Sequence, residues 1–150
     1  MYLRILEDRR KFRFYRMLPE EKSRVVKLLV EVLSQREEIL VAVLFGGFVN
    51  CEIFRDVDIA VFTGFAVPYN QVEVYEEELS RSLEKLISLP VDVRVIDYAP
   101  PWFKIRALRG IVLIEKEPAL AVRLAFKAYQ EIENIKAKIR KLELLAKLEE

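Results

Sequence analysis

The chain has 150 residues, 53% hydrophobic and 33% charged, with a formal net charge of +1. This suits one folded domain with its own core, too short for two domains and too apolar for disorder, and the small net charge gives no whole-molecule field for nucleic acid. The single Cys51 excludes an internal disulfide framework, and the absence of histidine excludes Ser-His-Asp, Cys-His and His-containing zinc chemistry.

Acid–base work therefore falls to Asp, Glu, Lys, Tyr or a metal-bound water. Basic residues between Arg4 and Arg16 break every apolar run at the N-terminus, so no signal peptide is expected. The longest apolar run, Ile39 to Phe45, falls far short of the roughly 20 residues that span a bilayer. The expectation is a soluble, cytoplasmic protein with no membrane contact.

In chain order, Tyr2 to Met17 is basic and aromatic and alternates in a way that suggests a short N-terminal hairpin over residues 1–17. Pro19 opens a helix, with Glu20 and Glu21 complementing its dipole and Val25, Leu29 and Leu33 at helical spacing to about Glu38. Leu40 to Phe45 reads as a central strand covered on both faces, ended by Gly46-Gly47. A second strand is expected over Asp56 to Phe62, an amphipathic helix over about Gln71 to Leu89, and a third strand over Val91 to Ile96. After Pro100-Pro101 come a short helix, Trp102 to Arg109, and a strand, Ile111 to Glu115; Trp102 is expected to anchor that helix on the core. Residues 118–150 read as one long helix, with Ile132, Ile135, Ile139, Leu142 and Ala146 forming a heptad-like seam. The seam points to a homo- or hetero-oligomer, or a docked helical partner.

The chemistry concentrates in two strands. In Asp56-Val57-Asp58-Ile59-Ala60-Val61 the alternation puts Asp56 and Asp58 on one face and the branched residues on the other, with the two Cα atoms about 6.5–7 Å apart. Val91-Asp92-Val93-Arg94-Val95 repeats the design. If the two strands are near neighbours with their valine faces on the same side, three aspartates meet. Bare carboxylates about 5 Å apart repel by roughly 3 kcal/mol per pair at an effective dielectric of 20. A divalent cation converts that repulsion into coordination, and hard oxygen ligands favour magnesium or manganese. Gly46-Gly47, directly after a buried strand, lets backbone approach a ligand and offers N–H groups to phosphate. Other polar residues have ordinary alternatives. Arg94 suits a carboxylate or a phosphate, Glu52 reads as solvated, and Tyr69 and Tyr75 suit packing or exposure better than flanking a base.

The run Leu44-Phe45-Gly46-Gly47, then Asp56-Val57-Asp58-Ile59, then Val91-Asp92-Val93 resembles the minimal nucleotidyltransferases of the DNA polymerase beta superfamily. The likeness extends to element order over about Pro19 to Glu117. It implies an α+β nucleotidyltransferase fold, a mixed sheet with helices packed on one face, in a single domain over 1–150 with a helical extension over 118–150. It implies transfer of a nucleoside monophosphate, AMP from ATP, to an acceptor hydroxyl. Asp56, Asp58 and Asp92 would be the catalytic and metal-binding residues for Mg2+ or Mn2+, and Gly46 and Gly47 would cradle the triphosphate. Small members are paired with HEPN-type proteins and some act as antitoxins by adenylylating them, so a tyrosine on such a partner is the acceptor implied. Gly47 stands where most members carry Ser, the spacer to Asp56 holds eight residues, and Phe48, Val49 and Asn50 replace the usual arginine. A catalytically weak or inactive antitoxin or binding module is the alternative.

Overall fold

A computed structural model describes residues 13–150, and at its centre lies a strand without a polar residue. That strand is β2 (Val41–Phe45), buried at every position. Around it, in chain order, are β1 (Tyr15–Arg16), α1 (Pro19–Ser34), the four-residue α2 (Gly47–Asn50), β3 (Ile53–Phe54), β4 (Val57–Phe62), a 3-10 turn (Tyr69–Gln71), α3 (Val72–Ile87), β5 (Val91–Val95), α4 (Pro101–Leu108), β6 (Ile111–Glu115) and α5 (Leu120–Leu148). The main sheet runs β5-β4-β2-β6. β2 is antiparallel to β4 and to β6, with an irregularity between Ala42 and Val43, whereas β4 and β5 are parallel.

Alternation along the strands builds two cores. Val57, Ile59 and Val61 of β4, with Val91, Val93 and Val95 of β5, pack under Val25, Leu29 and Leu33 of α1 and Leu79 and Leu83 of α3. Val41, Val43 and Phe45 of β2, with Ala60, meet Ala107 of α4 and Leu120 and Ala121 of α5 on the other face. α1 and α3 thus fill one face, while α4 and the first turns of α5 cover the apolar end of the other. α1 ends at Ser34 rather than near Glu38, because the chain tightens through Gln35 N–H to Val32 O (3.3 Å). Arg36 then pairs with Glu38 at 2.8 Å and the Tyr75 hydroxyl donates to Glu38 at 3.1 Å, fixing the turn into β2.

The outer edge of β5 is closed by side chains. Its N–H groups at Val91, Val93 and Val95 donate to Glu84 (3.1 Å), Ser80 (3.1 Å) and Glu76 (2.8 Å) of α3, three residues four apart on one helix face. An edge strand otherwise offers these donors to any passing chain.

Four further elements depart from the sequence-based expectations. Of the N-terminal hairpin over 1–17, residues 1–12 lie outside the described residues. The described end, β1, pairs antiparallel with β3, as Tyr15↔Phe54 and Arg16↔Ile53. β3 and α2 lie in what reads as a plain spacer. Trp102 does not anchor α4, being 65% exposed. Phe103 does so instead, edge-on to Phe45 at 6.0 Å, because Phe103 and Ala107 share the inward face and Trp102 and Arg106 the outward one. Among the described residues no helix is long and apolar enough to cross a membrane.

The loop after β4 hangs on one buried carboxylate. Gly64 and Phe65 both take left-handed φ values, +62° and +64°. Asp97, 3% exposed, accepts from the Thr63 N–H (3.0 Å), the Thr63 hydroxyl (2.9 Å) and the Phe65 N–H (2.6 Å). Removing it leaves three buried or half-buried donors without an acceptor. Asp97→Ala is expected to cost about 2–4 kcal/mol in urea unfolding, with Asp97→Asn losing clearly less because one acceptor oxygen remains.

Candidate active site: a carboxylate row beside a diglycine bend

Strand register decides where the acidic residues meet. Asp58 of β4 is the ladder partner of Phe45 of β2 on one side and of Asp92 of β5 on the other. Partners in a ladder project to the same side, so Asp58 and Asp92 share the face opposite the valines. Asp56 lies immediately ahead of β4, two residues before Asp58, and alternation returns it to that side. All three are half-buried.

Their charges are coupled. Burial first, then Asp56 and Asp92, push the Asp58 pKa up to about 6, while Arg106 and Arg94 pull it back. Asp56 is also raised, by burial and then by Asp92, against the pull of Arg55. Arg94 alternates with Asp92 on β5 and its Nε lies 3.3 Å from the Asp92 carboxylate. Among the described residues, no three acidic or cysteine side chains enclose an ion position as they stand. The aspartates form an open row rather than a closed cage. Its donor set, carboxylates alone with Asp56 and Asp58 raised in proton affinity, fits a hard divalent cation that would relieve the mutual repulsion.

The diglycine closes one end of the row. β2 turns into α2 through Gly46 at φ +79°, and a Cβ there would run into the Asp58 carboxylate. Gly46 is thus required twice, for its backbone conformation and for the space that lets Asp58 lie against it. Gly47 is different: a Cβ on it would meet only Phe54 Cβ, at an ordinary 3.6 Å. Lys22 of α1 holds the bend from outside. Its Nζ donates to the carbonyls of Phe48 (2.7 Å) and Cys51 (2.6 Å) and sits 5.2 Å and 5.4 Å from the rings of Phe48 and Phe54. A cation on the last carbonyls of α2 also complements their partial negative charge.

Four hollows border these residues. One of about 360 Å³ is walled by Asp58, Asp92, Arg94, Glu76, Phe103 and Arg106. A second, of about 480 Å³, is walled by Gly46, Gly47, Asn50, Arg106 and Arg109. The two share Phe45 and Arg106, so one guanidinium borders both the carboxylates and the diglycine. The third and largest, about 560 Å³, lies at Asp56 with Tyr15, Arg55 and Glu84, and has neither glycine nor Asp92 on its wall. A fourth, of about 400 Å³, lies on the α3 side of Asp92 and Arg94. We take the first two as the ligand site, since Arg106 joins the wall that holds Asp58 and Asp92 to the wall that holds the diglycine. The expected residues thus divide: Asp58 and Asp92 face one cleft, Gly46 and Gly47 the adjoining one, and Asp56 the row's outer end.

Lys22, Arg106, Arg109 and Glu76 were not foreseen from the sequence. Each sits on a helix whose pattern reports only amphipathicity, Arg109 at the C-cap of its helix. Glu52 pairs with Arg16 at 3.3 Å, both exposed. Tyr75 is spent on Glu38, burial and then that carboxylate raising its pKa. Tyr69 is 77% exposed, edge-on to Tyr98 at 5.4 Å.

Comparison with known proteins places this geometry. No curated protein matches the sequence. Among solved structures, a chain of a toxin–antitoxin complex with AMP-PNP is 18% identical with a TM-score of 0.61, covering 81% of this chain and 94% of that one. A chain of a MntA–HepT toxin–antitoxin structure is 17% identical, TM-score 0.58, covering 83% and 95%. One from the complex of a tri-AMPylated Shewanella oneidensis HEPN toxin with MNT antitoxin is 17% identical, TM-score 0.58, covering 84% and 95%. At these identities the likeness is one of fold. The family model of the polymerase beta nucleotidyltransferases matches residues 27–119, from α1 through the diglycine and all three aspartates to the end of β6 and just beyond, and the chain belongs to that family.

Proposed function

We propose that this protein transfers AMP from ATP to a hydroxyl, a tyrosine of a HEPN-type partner protein, in the cytoplasm. The observation that carries the reading is the row of Asp58 and Asp92 in direct register, flanked by Gly46 and joined to the diglycine cleft by Arg106. The solved toxin–antitoxin structures, one with AMP-PNP and one with an AMPylated HEPN toxin, support the donor and the partner class.

In this reading Asp56, Asp58 and Asp92 would hold magnesium or manganese, which would supply positive charge to the triphosphate and the leaving group. Gly46 and Gly47 present backbone to the phosphates, and Arg106, with Arg109 beside it, binds them from α4. The acceptor oxygen attacks the α-phosphorus, the bond to the α–β bridging oxygen breaks, and pyrophosphate leaves. Asp92 takes the hydroxyl proton. A binding module without turnover is the second reading, favoured by Gly47 in the place of Ser and by the open aspartate row. Assembly, with the partner or with a second copy, is assigned to α5.

Incubation with labelled ATP, magnesium and the genomically neighbouring partner separates the two. Label is expected on the partner, and Asp58→Asn or Asp92→Asn is expected to lower the rate by at least about 100-fold while the protein–protein complex persists. A tight complex that never acquires label establishes the module instead. Gly47→Ser is expected to fold with unchanged stability, because its Cβ has room, and to lower the KM for ATP by adding a hydroxyl beside the phosphates.

The raised Asp58 pKa gives a pH signature. Its value of about 6 in the folded state exceeds the unfolded value near 4, so between those pH values the folded form holds the extra proton. Stability without divalent ions should therefore fall as pH rises from about 4 to 6, and Asp58→Asn should flatten that slope in a melting-temperature series. Added magnesium should raise the melting temperature more at pH 7.5 than at pH 5, where it must displace the proton.

A further inference from the structure

α5 begins one residue after the family match ends at residue 119, and only its first turns belong to the body. Leu120, Ala121 and Ala128 are its buried residues, and from residue 133 onward every residue is exposed. That outer stretch is not built for water, since Ile135, Ile139 and Leu142 are 44%, 50% and 65% exposed and line one stripe with Ile132 and Ala146. Among the described residues nothing covers it. We infer that the stripe is covered by the same stripe of a second copy, running antiparallel, with Lys136 of each chain beside Glu143 of the other.

Orientation follows from the body. Ala121, Ala128, Ile135 and Leu142 recur every seven residues on one face, and the first two of them are buried, Ala121 in the core it shares with Ala107 of α4. A parallel copy would have to occupy, alongside residues 121–128, space that the body already fills. An antiparallel copy leaves at the far end, with its own body beyond the helix tip.

Charge then selects the register. Two antiparallel registers keep four apolar layers in contact. One, centred on residue 137, sets Lys136 against Lys136 and Lys138 against Lys138, which like-charge repulsion disfavours. The other, centred between residues 140 and 141, layers Ile135 on Ala146 and Ile139 on Leu142, and places Lys136 of each chain beside Glu143 of the other.

The inference rests on the assembly role assigned to α5 and is independent of the transfer chemistry. Sedimentation equilibrium of the full chain should give a dimer mass. Lys136→Glu should weaken the dimer by about tenfold or more, with helicity by circular dichroism unchanged. Combining it with Glu143→Lys should restore the dimer, because the antiparallel pairs are merely exchanged. In a parallel pair the same exchange would instead put like charges opposite Glu131 and Lys138 and would not rescue. A monomer mass for the unaltered chain overturns the inference and the assembly role together. A dimer that the exchange fails to rescue overturns this register while leaving assembly through α5 in place.

Discussion

The structure turns on the in-register parallel pairing of β4 with β5, which fixes Asp58 directly beside Asp92. Like charges opposite one another weaken a sheet, and here each carboxylate is also half-buried. What holds the pair together is the reverse side of the same strands. Val57, Ile59, Val91 and Val93 are buried beneath α1 and α3, and at about 1.5–3 kcal/mol each their burial outweighs a repulsion of roughly 3 kcal/mol. A one-residue slip would exchange the faces and lose both the core and the charge row. The strain of the site is thus supported by the core, which holds the carboxylates in place on its reverse side.

The bend at Gly46 depends on this arrangement and completes it. Because Asp58 lies against the Gly46 backbone, carboxylate and bend cannot shift independently. Lys22 adds a second restraint by gathering the carbonyls of Phe48 and Cys51 onto one ammonium, braced by two aromatic rings. A backbone restrained in this way would need little reordering to take the phosphate role proposed for it. Arg106 supplies what the loop lacks. Where the resembling family carries an arginine after its glycines, this chain has Phe48, Val49 and Asn50, and the nearby cations come from α4 instead.

Much of this was legible in the sequence, for a physical reason. Period-two alternation says which residues share a face, so the pairing of Asp56 with Asp58 and the matching context of Asp92 could be read directly. Alternation says nothing about which strands are neighbours, and the Asp58–Asp92 register came only with the coordinates. The family match then bore out the nucleotidyltransferase resemblance drawn from the same motifs. Short elements were illegible: β3 spans two residues and α2 four, below the length at which periodicity carries a signal. So were contacts such as Lys22 to Cys51, where a surface lysine on an amphipathic helix looks like any other. Trp102 misled because size suggests burial, whereas position on an eight-residue helix decided otherwise.

α5 shows how one helix can serve two purposes. Its first turns complete the core over Val41, Val43 and Ala60, so the body needs it even though the family match stops short of it. The remainder of its 29 residues continues the same stripe into solvent as one uninterrupted helix. With the two-fold between residues 140 and 141, each Ala128 lies about 19 Å from the centre at 1.5 Å per residue, which holds the two anchoring points about 38 Å apart. The spacing exceeds the roughly 30 Å width of a small domain, so neither body need lie across the other's aspartate row. Dimerisation through α5 would therefore double the number of aspartate rows without covering either.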